Sequence, residues 1–280
     1  MPTMRVGVGL PTTTPGADGA LLVDWARKAD AGPFSSLGVL DRLLYDSFDP
    51  FASLAAAAAV TERLRLATMI AIGPLRAAAA LVKDAASVQA LSGGRLTLGL
   101  AIGARTDDYE AAGVPHQGRG ARLSDQLAEL RDWDACPVVP RAIRERRPEL
   151  LVGGMSGAAF ARMARYGDGY AHGGGPPRAF ASAAAKALAA WSDLGRPGRP
   201  ALWGQAYFAL GGEEAGEAYL LDYYAFTGPF AATIAAGLLT SPRAIRDFVR
   251  AYEEAGCDEL VLLPTVADPG QLERLADVLA

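Results

Sequence analysis

Residues 150–169 read LLVGGMSGAAFARMARYGDG, an apolar strand pattern that passes into a helical one through Gly153, Gly154, Met155, Ser156 and Gly157. A turn so poor in side chains leaves backbone N–H groups bare at the start of a helix, where an anion such as a phosphate is stabilised, and Ser156 adds a hydroxyl donor. The same residues also suit a plain strand-to-helix corner with Ser156 as its cap, and the local sequence alone does not separate the two uses.

Acid-base and nucleophilic candidates are few. Of the two histidines, His116 falls in the Pro/Gly-rich loop Val114–Gly120, while His172 ends a strand pattern where an inward-facing imidazole would reach a ligand; a structural histidine bonded near Gly173–Gly175 is the plainer reading. Asp41 and Arg42, in VLDRLLYDSFDP, stand at another strand's carboxyl end, placed either to meet a ligand or to form a salt-linked structural pair. As a guanidinium stays protonated at any working pH, Arg42 is a binding group rather than a proton shuttle. Asp107 and Asp108 are adjacent and so point apart, which disfavours a shared carboxylate metal site.

Composition narrows the classes further. The chain has 280 residues, 51% hydrophobic and 21% charged, with a net charge of −4. Its basic residues are nearly all arginine, with Lys28, Lys83 and Lys186 scattered, so no nucleic-acid face is expected. No apolar run approaches the roughly 18 residues of a membrane helix. Cys136 and Cys257 are far apart and belong to no CxxC pattern. The opening stretch MPTMRVGVGL lacks the layout of a secretory signal, so a cytoplasmic protein of one large domain, residues 1–280, is expected.

The elements that must position these groups alternate. Strand patterns cover Met4–Leu10, Leu37–Leu40, Leu66–Ile72, Leu96–Ile102, Leu150–Gly153, Gly169–His172, Ala201–Leu210 and Glu259–Leu263. Helical patterns lie between them at Gly19–Ala29, Pro50–Thr61, Ala77–Leu91, Arg119–Trp133, Gly157–Tyr166, Pro177–Leu194, Pro242–Ala255 and Pro269–Leu279. Asp49, Ser241 and Asp268 each precede a first-turn proline, a helix-entry signal. Eight buried strands alternating with helices predict a parallel (β/α)8 barrel, with an open doubly wound sheet as the competing arrangement. Residues 213–239 hold more helix than one crossover needs, and their aromatic stretch Leu220–Phe230 either packs this insertion onto the barrel or walls a pocket or subunit contact. Tyr45, Tyr109, Tyr223, Tyr224 and Phe230 are candidate pocket walls.

Residues 47–114 resemble the bacterial luciferase-like flavin-dependent oxidoreductases, through TERLRL before the third strand, PLR after it and LSGGRL before the fourth. The likeness extends to MRVGVGLP, to LLVGGMSGAAFARMARYGDGY and to SPRAIRDFVRAYEEAGCDELVLLP. It implies a (β/α)8 barrel with insertions, binding FMN or the deazaflavin coenzyme F-420, with the phosphate in the turn Gly153–Gly157. It also implies a flat ring across the ends of strands one, three and four, at Leu10–Thr12, Met69, Ile70 and Ala71, and Ile102, Gly103 and Ala104. Two departures stand out. Asp41-Arg42-Leu43 replaces the histidine that luciferases use after strand two, and Ile102 replaces a phosphate-binding arginine, with Arg105 three residues on. Light emission is therefore not implied, and the deazaflavin competes with FMN. The expected reaction is hydride transfer or, with FMN, oxygenation of a small organic substrate. A flavin or deazaflavin reductase is a candidate partner and a homodimer a candidate assembly. The alternatives are a flavin- or small-ligand-binding barrel without catalysis, and a phosphate-site barrel enzyme that uses no flavin.

Overall fold

A computed structural model describes residues 4–280; Met1–Thr3, which open the stretch read above for a signal, lie outside the described residues. Eight parallel strands, β1 (Arg5–Gly9), β2 (Ser36–Val39), β3 (Arg65–Ile72), β4 (Leu96–Ala101), β5 (Glu149–Gly153), β6 (Gly169–Ala171), β7 (Ala201–Phe208) and β8 (Glu259–Pro264), pair in sequence order. The last pairs with the first, Arg5 beside Glu259 and Val8 beside Leu262, so the sheet closes and the open arrangement is excluded.

The crossovers are α1 (Gly19–Ala31), α2 (Pro50–Ala58), α3 (Ala78–Leu91), α4 (Thr106–Ala111), α5 (Arg119–Arg131), α6 (Gly157–Tyr166), α7 (Pro177–Asp193), α8 (Glu213–Tyr223), α9 (Phe230–Ala235), α10 (Pro242–Glu254) and α11 (Gly270–Leu279). Asp49 and Ser241 cap α2 and α10 through their side chains, and Asp268 accepts from the Gly270 amide at the start of α11. Helix α2 stops three residues short of the sequence reading, because Asp30 takes the amides of Glu62, Arg63 and Leu64 into a turn instead. The short α4 stands outside the helical patterns of the sequence. No helix among the described residues is long and apolar enough to cross a membrane.

Side-chain alternation along each strand builds two apolar layers. On β8, Leu260 and Leu262 face the helices while Val261 and Leu263 fill the barrel, and on β5 Leu150 and Val152 flank an inward Leu151. Strand β3 breaks this rhythm: its register against β4 shifts between Thr68 and Ala71. Met69 and Ile70 consequently both contact the inner cluster, and Ala71 falls into the outer one.

The amino ends of the strands are plugged by polar groups. Glu259, without solvent exposure, accepts from Ser35, Ser36 and Arg5, and Arg65 bonds Thr97 and Glu149 nearby. Removing one member of such a set strands its partners away from water. Glu259→Ala is therefore expected to lower stability by roughly 2–4 kcal/mol, and Glu259→Gln by less, measured as the shift in urea midpoint at constant slope.

Candidate functional site at the carboxyl ends of the strands

After β5 the chain turns through Gly154 at φ +119°, a conformation that side chains disfavour, and a Cβ there would lie 2.9 Å from Ala159 Cβ. Gly153 is needed for a different reason: a Cβ would come within 2.3 Å of Ile70 Cδ1. Ser156 caps α6, its hydroxyl oxygen accepting from the Ala159 amide at 3.2 Å. The corner reading of the turn is thus correct for Ser156, yet the hydroxyl hydrogen and the amides of Gly157 and Ala158 keep no acceptor within the helix. Gly157 needs no unusual backbone, and nothing lies within 4 Å of where its Cβ would be. Met155 is 54% exposed and turns away to a groove between α6 and α7.

At the ends of β2 to β4, Asp41 and Arg42 are both buried but do not pair with each other. Asp41 accepts from the Ile72 amide at 2.8 Å and from Arg76 Nη1 at 2.7 Å, clamping the end of β3. Arg42 donates through Nε to Asp108 at 2.9 Å and through Nη2 to the Leu44 carbonyl. Asp108 has no solvent exposure and also accepts from the Leu43 and Leu44 amides, while Asp107 pairs with Arg105, whose Nε also lies 4.0 Å from Asp108, so each carboxylate is taken up by arginine. The Arg42 guanidinium lies 5.1 Å from the Tyr45 ring and 5.4 Å from that of Tyr223. Its Nη1, fully buried, has no acceptor within the chain. A cavity of about 140 Å³ opens here, lined by Asp41, Arg42, Ile70, Ala104, Arg105 and Tyr224 among others.

The insertion lies over this mouth. Tyr219 of α8 bonds Thr13 at 2.6 Å, Tyr45 donates to Asp222 at 2.7 Å, and Tyr224 pairs with Tyr207 of β7 at 2.7 Å. Burial raises the pKa of these four phenols and of Tyr223, so all five stay protonated at working pH. Both readings of the aromatic stretch hold: Tyr219 and Tyr223 pack the insertion down, while Tyr224 and Phe230 wall a second cavity of about 570 Å³ beside the ends of β6 and β7. The chain returns from this excursion at Leu239, which exchanges backbone bonds with Tyr207 and Ala209.

The expected residues thus divide. Ile70, Ala104, Asp41 and Arg42 meet at the small cavity, and Ile70 reaches from it to the edge of Gly153. Thr12 is buried after β1 with an unpartnered hydroxyl. Met69 and Ala71 are sealed in the two apolar layers, Ile102 packs on the outer one, and Gly103 is pressed against Ile72. His172 takes its plainer, structural reading, and that of an inward ligand is corrected: it follows Tyr170 on the helix side of β6, packs edge-on to Phe180 at 5.7 Å and meets the backbone at Gly174. Tyr109 is likewise no cavity wall, being buried against His116 with its hydroxyl on the Ile102 carbonyl. Sequence reasoning missed Gln205, whose Oε1 is buried without a donor, and the roles of Asp108 and Tyr207. Strand alternation from Trp203 would have pointed Gln205 and Tyr207 inward.

Known proteins resemble this chain in sequence and in fold. A profile of the family described as luciferase-like monooxygenase matches residues 4–238. An uncharacterised protein of Mycobacterium tuberculosis is 31% identical over 195 residues, 57% of this chain and 67% of the relative. The fold superposes on a monooxygenase from Streptomyces bottropensis with a TM-score of 0.80 at 21% identity, covering 99% of this chain and 98% of the other. For an F-420-dependent secondary alcohol dehydrogenase holding an F-420–acetone adduct the values are 0.78, 14%, 99% and 98%. For the FMN complex of the oxygenating constituent of 3,6-diketocamphane monooxygenase from Pseudomonas putida they are 0.72, 16%, 99% and 96%.

Two outcomes follow from the buried charges. Arg42→Met leaves Asp108 with two amides and the more distant Arg105 and is expected to cost about 3 kcal/mol in urea unfolding, part of which Asp108→Asn restores when added to it. Burial lowers the His172 imidazole below its ordinary value, against an opposing backbone hydrogen bond at Gly174. The unfolded chain therefore binds a proton below about pH 6.5 that the folded chain refuses, so this stability is present above that pH and is lost below it. His172→Gln should flatten the fall of unfolding free energy below about pH 6.5, a slope of at most ~1.4 kcal/mol per pH unit. Parallel curves for parent and variant would refute the assignment.

Proposed function

The chain belongs to the luciferase-like monooxygenase family, and from that membership we propose that it is a flavin- or deazaflavin-dependent oxidoreductase acting on a small organic molecule. The observation that carries this reading is the convergence of unspent donors on one barrel end: Arg42 Nη1, Thr12 Oγ1 and the open start of α6. These fit a flat, oxygen-bearing ring with a phosphate tail. We assign the tail to Ser156, Gly157 and Ala158, and the ring to the space beside Ile70 and Ala104, which line the small cavity.

When bound, such a group supplies hydride transfer at its ring, and FMN adds reaction with dioxygen. This chain's residues bind, orient and keep out water. Arg42 is anchored by Asp108 and offers Nη1 to an oxygen acceptor. Tyr223, Tyr224 and Phe226 wall the space above it from solvent. Each carboxylate lining the small cavity is engaged by an arginine, Asp41 by Arg76 and Asp108 by Arg42, so these residues position ligands rather than exchange protons.

Titration of the purified protein with FMN and with F-420, followed by fluorescence, selects the cofactor, and turnover distinguishes an enzyme from a carrier. Gly157→Asp is the sharpest probe of the turn. Its side chain enters open space and its charge stabilises the helix start by about 0.3–1 kcal/mol, while the same charge repels a phosphate. It should leave melting unchanged or slightly raised and weaken the phosphorylated cofactor by roughly ten-fold or more, with riboflavin unaffected. Ser156→Ala should cost the cofactor about 1 kcal/mol. If Gly157→Asp binds the cofactor as the parent does, no phosphate sits at this turn; if neither cofactor binds the parent, the oxidoreductase reading fails.

A further inference from the structure

The larger cavity differs in chemistry from everything else at the mouth. Its volume, about 570 Å³, falls within the range of small-molecule sites. Phe230, Ile234, Leu238, Leu239 and Phe248 supply apolar surface, the run Gly173–Gly175 supplies bare backbone, and no Asp, Glu, Lys or Arg is among its lining residues.

Its one strong polar feature is the pair Tyr207 and Tyr224. Their hydroxyls lie 2.7 Å apart, and neither makes another hydrogen bond. Two phenols carry two hydrogens, and one bond between them uses one. The second has no acceptor within the chain, and both phenols keep their protons because burial raises their pKa. Tyr224 also lines the small cavity beside Arg42, so this donor stands at the junction of the two spaces.

We infer that this chamber selects an uncharged, largely apolar molecule carrying one acceptor oxygen, held by the Tyr207–Tyr224 hydroxyl pair at the edge of the small cavity. A carboxylate would meet no cation on the chamber's own lining, and the guanidinium beside its edge, Arg42, is already paired with Asp108, so much of its lost hydration would go uncompensated. A hydrocarbon would fill the space but leave the phenolic hydrogen unused. The oxygen-bearing carbon of a neutral ketone, alcohol or ester is thereby directed toward the proposed ring position, while its apolar remainder lies against α9 and α10. The assignment names the substrate class for the oxidoreductase reading and rests on it only for the word substrate; the selectivity belongs to the chamber itself.

Three matched fluorescent probes test it on the full chain: 6-propionyl-2-(dimethylamino)naphthalene, its propyl counterpart without the carbonyl, and 6-(dimethylamino)-2-naphthoate. The ketone should bind about five-fold tighter than the hydrocarbon, the equivalent of one hydrogen bond, and at least about ten-fold tighter than the carboxylate. Either single Tyr→Phe change leaves one hydroxyl hydrogen and should cost the ketone little. The double variant Tyr207→Phe/Tyr224→Phe should erase its advantage over the hydrocarbon. Thr233→Trp, at an exposed position on α9 that lines the chamber, should weaken all three without touching the barrel. The comparison of probes on the parent protein needs no variant to fold. Equal affinity for ketone and carboxylate, a ketone advantage that survives the double variant, or indifference to Thr233→Trp would each overturn the assignment. Flavin and deazaflavin titrations run in parallel keep the readings apart. Binding of the ketone without either cofactor refutes the oxidoreductase and leaves the chamber standing, whereas cofactor binding without the ketone refutes the chamber alone.

Discussion

A carboxylate with no access to water has to be neutralised by the chain around it, and at Asp108 that requirement organises the mouth of the barrel. Its oxygens take Arg42 Nε and two amides of the loop after β2, which fixes that loop against α4. Held there, the guanidinium lies between Tyr45 and Tyr223, and Tyr223 belongs to the insertion. One buried charge thus connects three segments that no backbone ladder joins. Replacing such a pair with apolar groups is often harmless to stability, so its value here lies in the position it imposes on Arg42 rather than in binding energy.

The two ends of the barrel treat polar groups in opposite ways. At the amino ends Glu259, Ser36, Arg65, Thr97 and Glu149 satisfy one another. At the carboxyl ends Thr12 Oγ1, Arg42 Nη1 and Gln205 Oε1 are buried without partners. Leaving a buried donor or acceptor unpaired costs about 1–3 kcal/mol each, a cost that a ligand supplying the missing partners recovers. The pairing at the amino ends makes that strain tolerable, because register and core do not depend on the mouth.

The strands were legible because each carries its own signal: a short apolar run, buried on both faces, between turn residues. Helix entries at Asp49 and Ser241 were legible for the same local reason. What was not legible depends on partners far along the chain. Asp41 and Arg42 are neighbours in sequence, and adjacency suggested a pair, but the backbone sends one to Arg76 and the other to a carboxylate 66 residues on. His172 follows a strand of only three residues, too short for alternation to declare a face, and it lies on the helix side. The insertion could be recognised as surplus helix, but its docking follows from hydroxyl pairs such as Tyr219 with Thr13 that no periodicity encodes.

The insertion leaves the barrel after Ala209 and rejoins it at Leu239, where Leu239 donates to the Tyr207 carbonyl and accepts from the Ala209 amide. Departure and return therefore share one small patch of backbone, and the segment between them is a loop already closed at its neck. Lengthening or shortening such a loop changes its closure entropy only logarithmically, about 0.6 kcal/mol for each doubling. The barrel is thus indifferent to what is carried on that neck. One scaffold can exchange its cover, and with it the shape of the space beneath, by altering a single contiguous cassette of sequence.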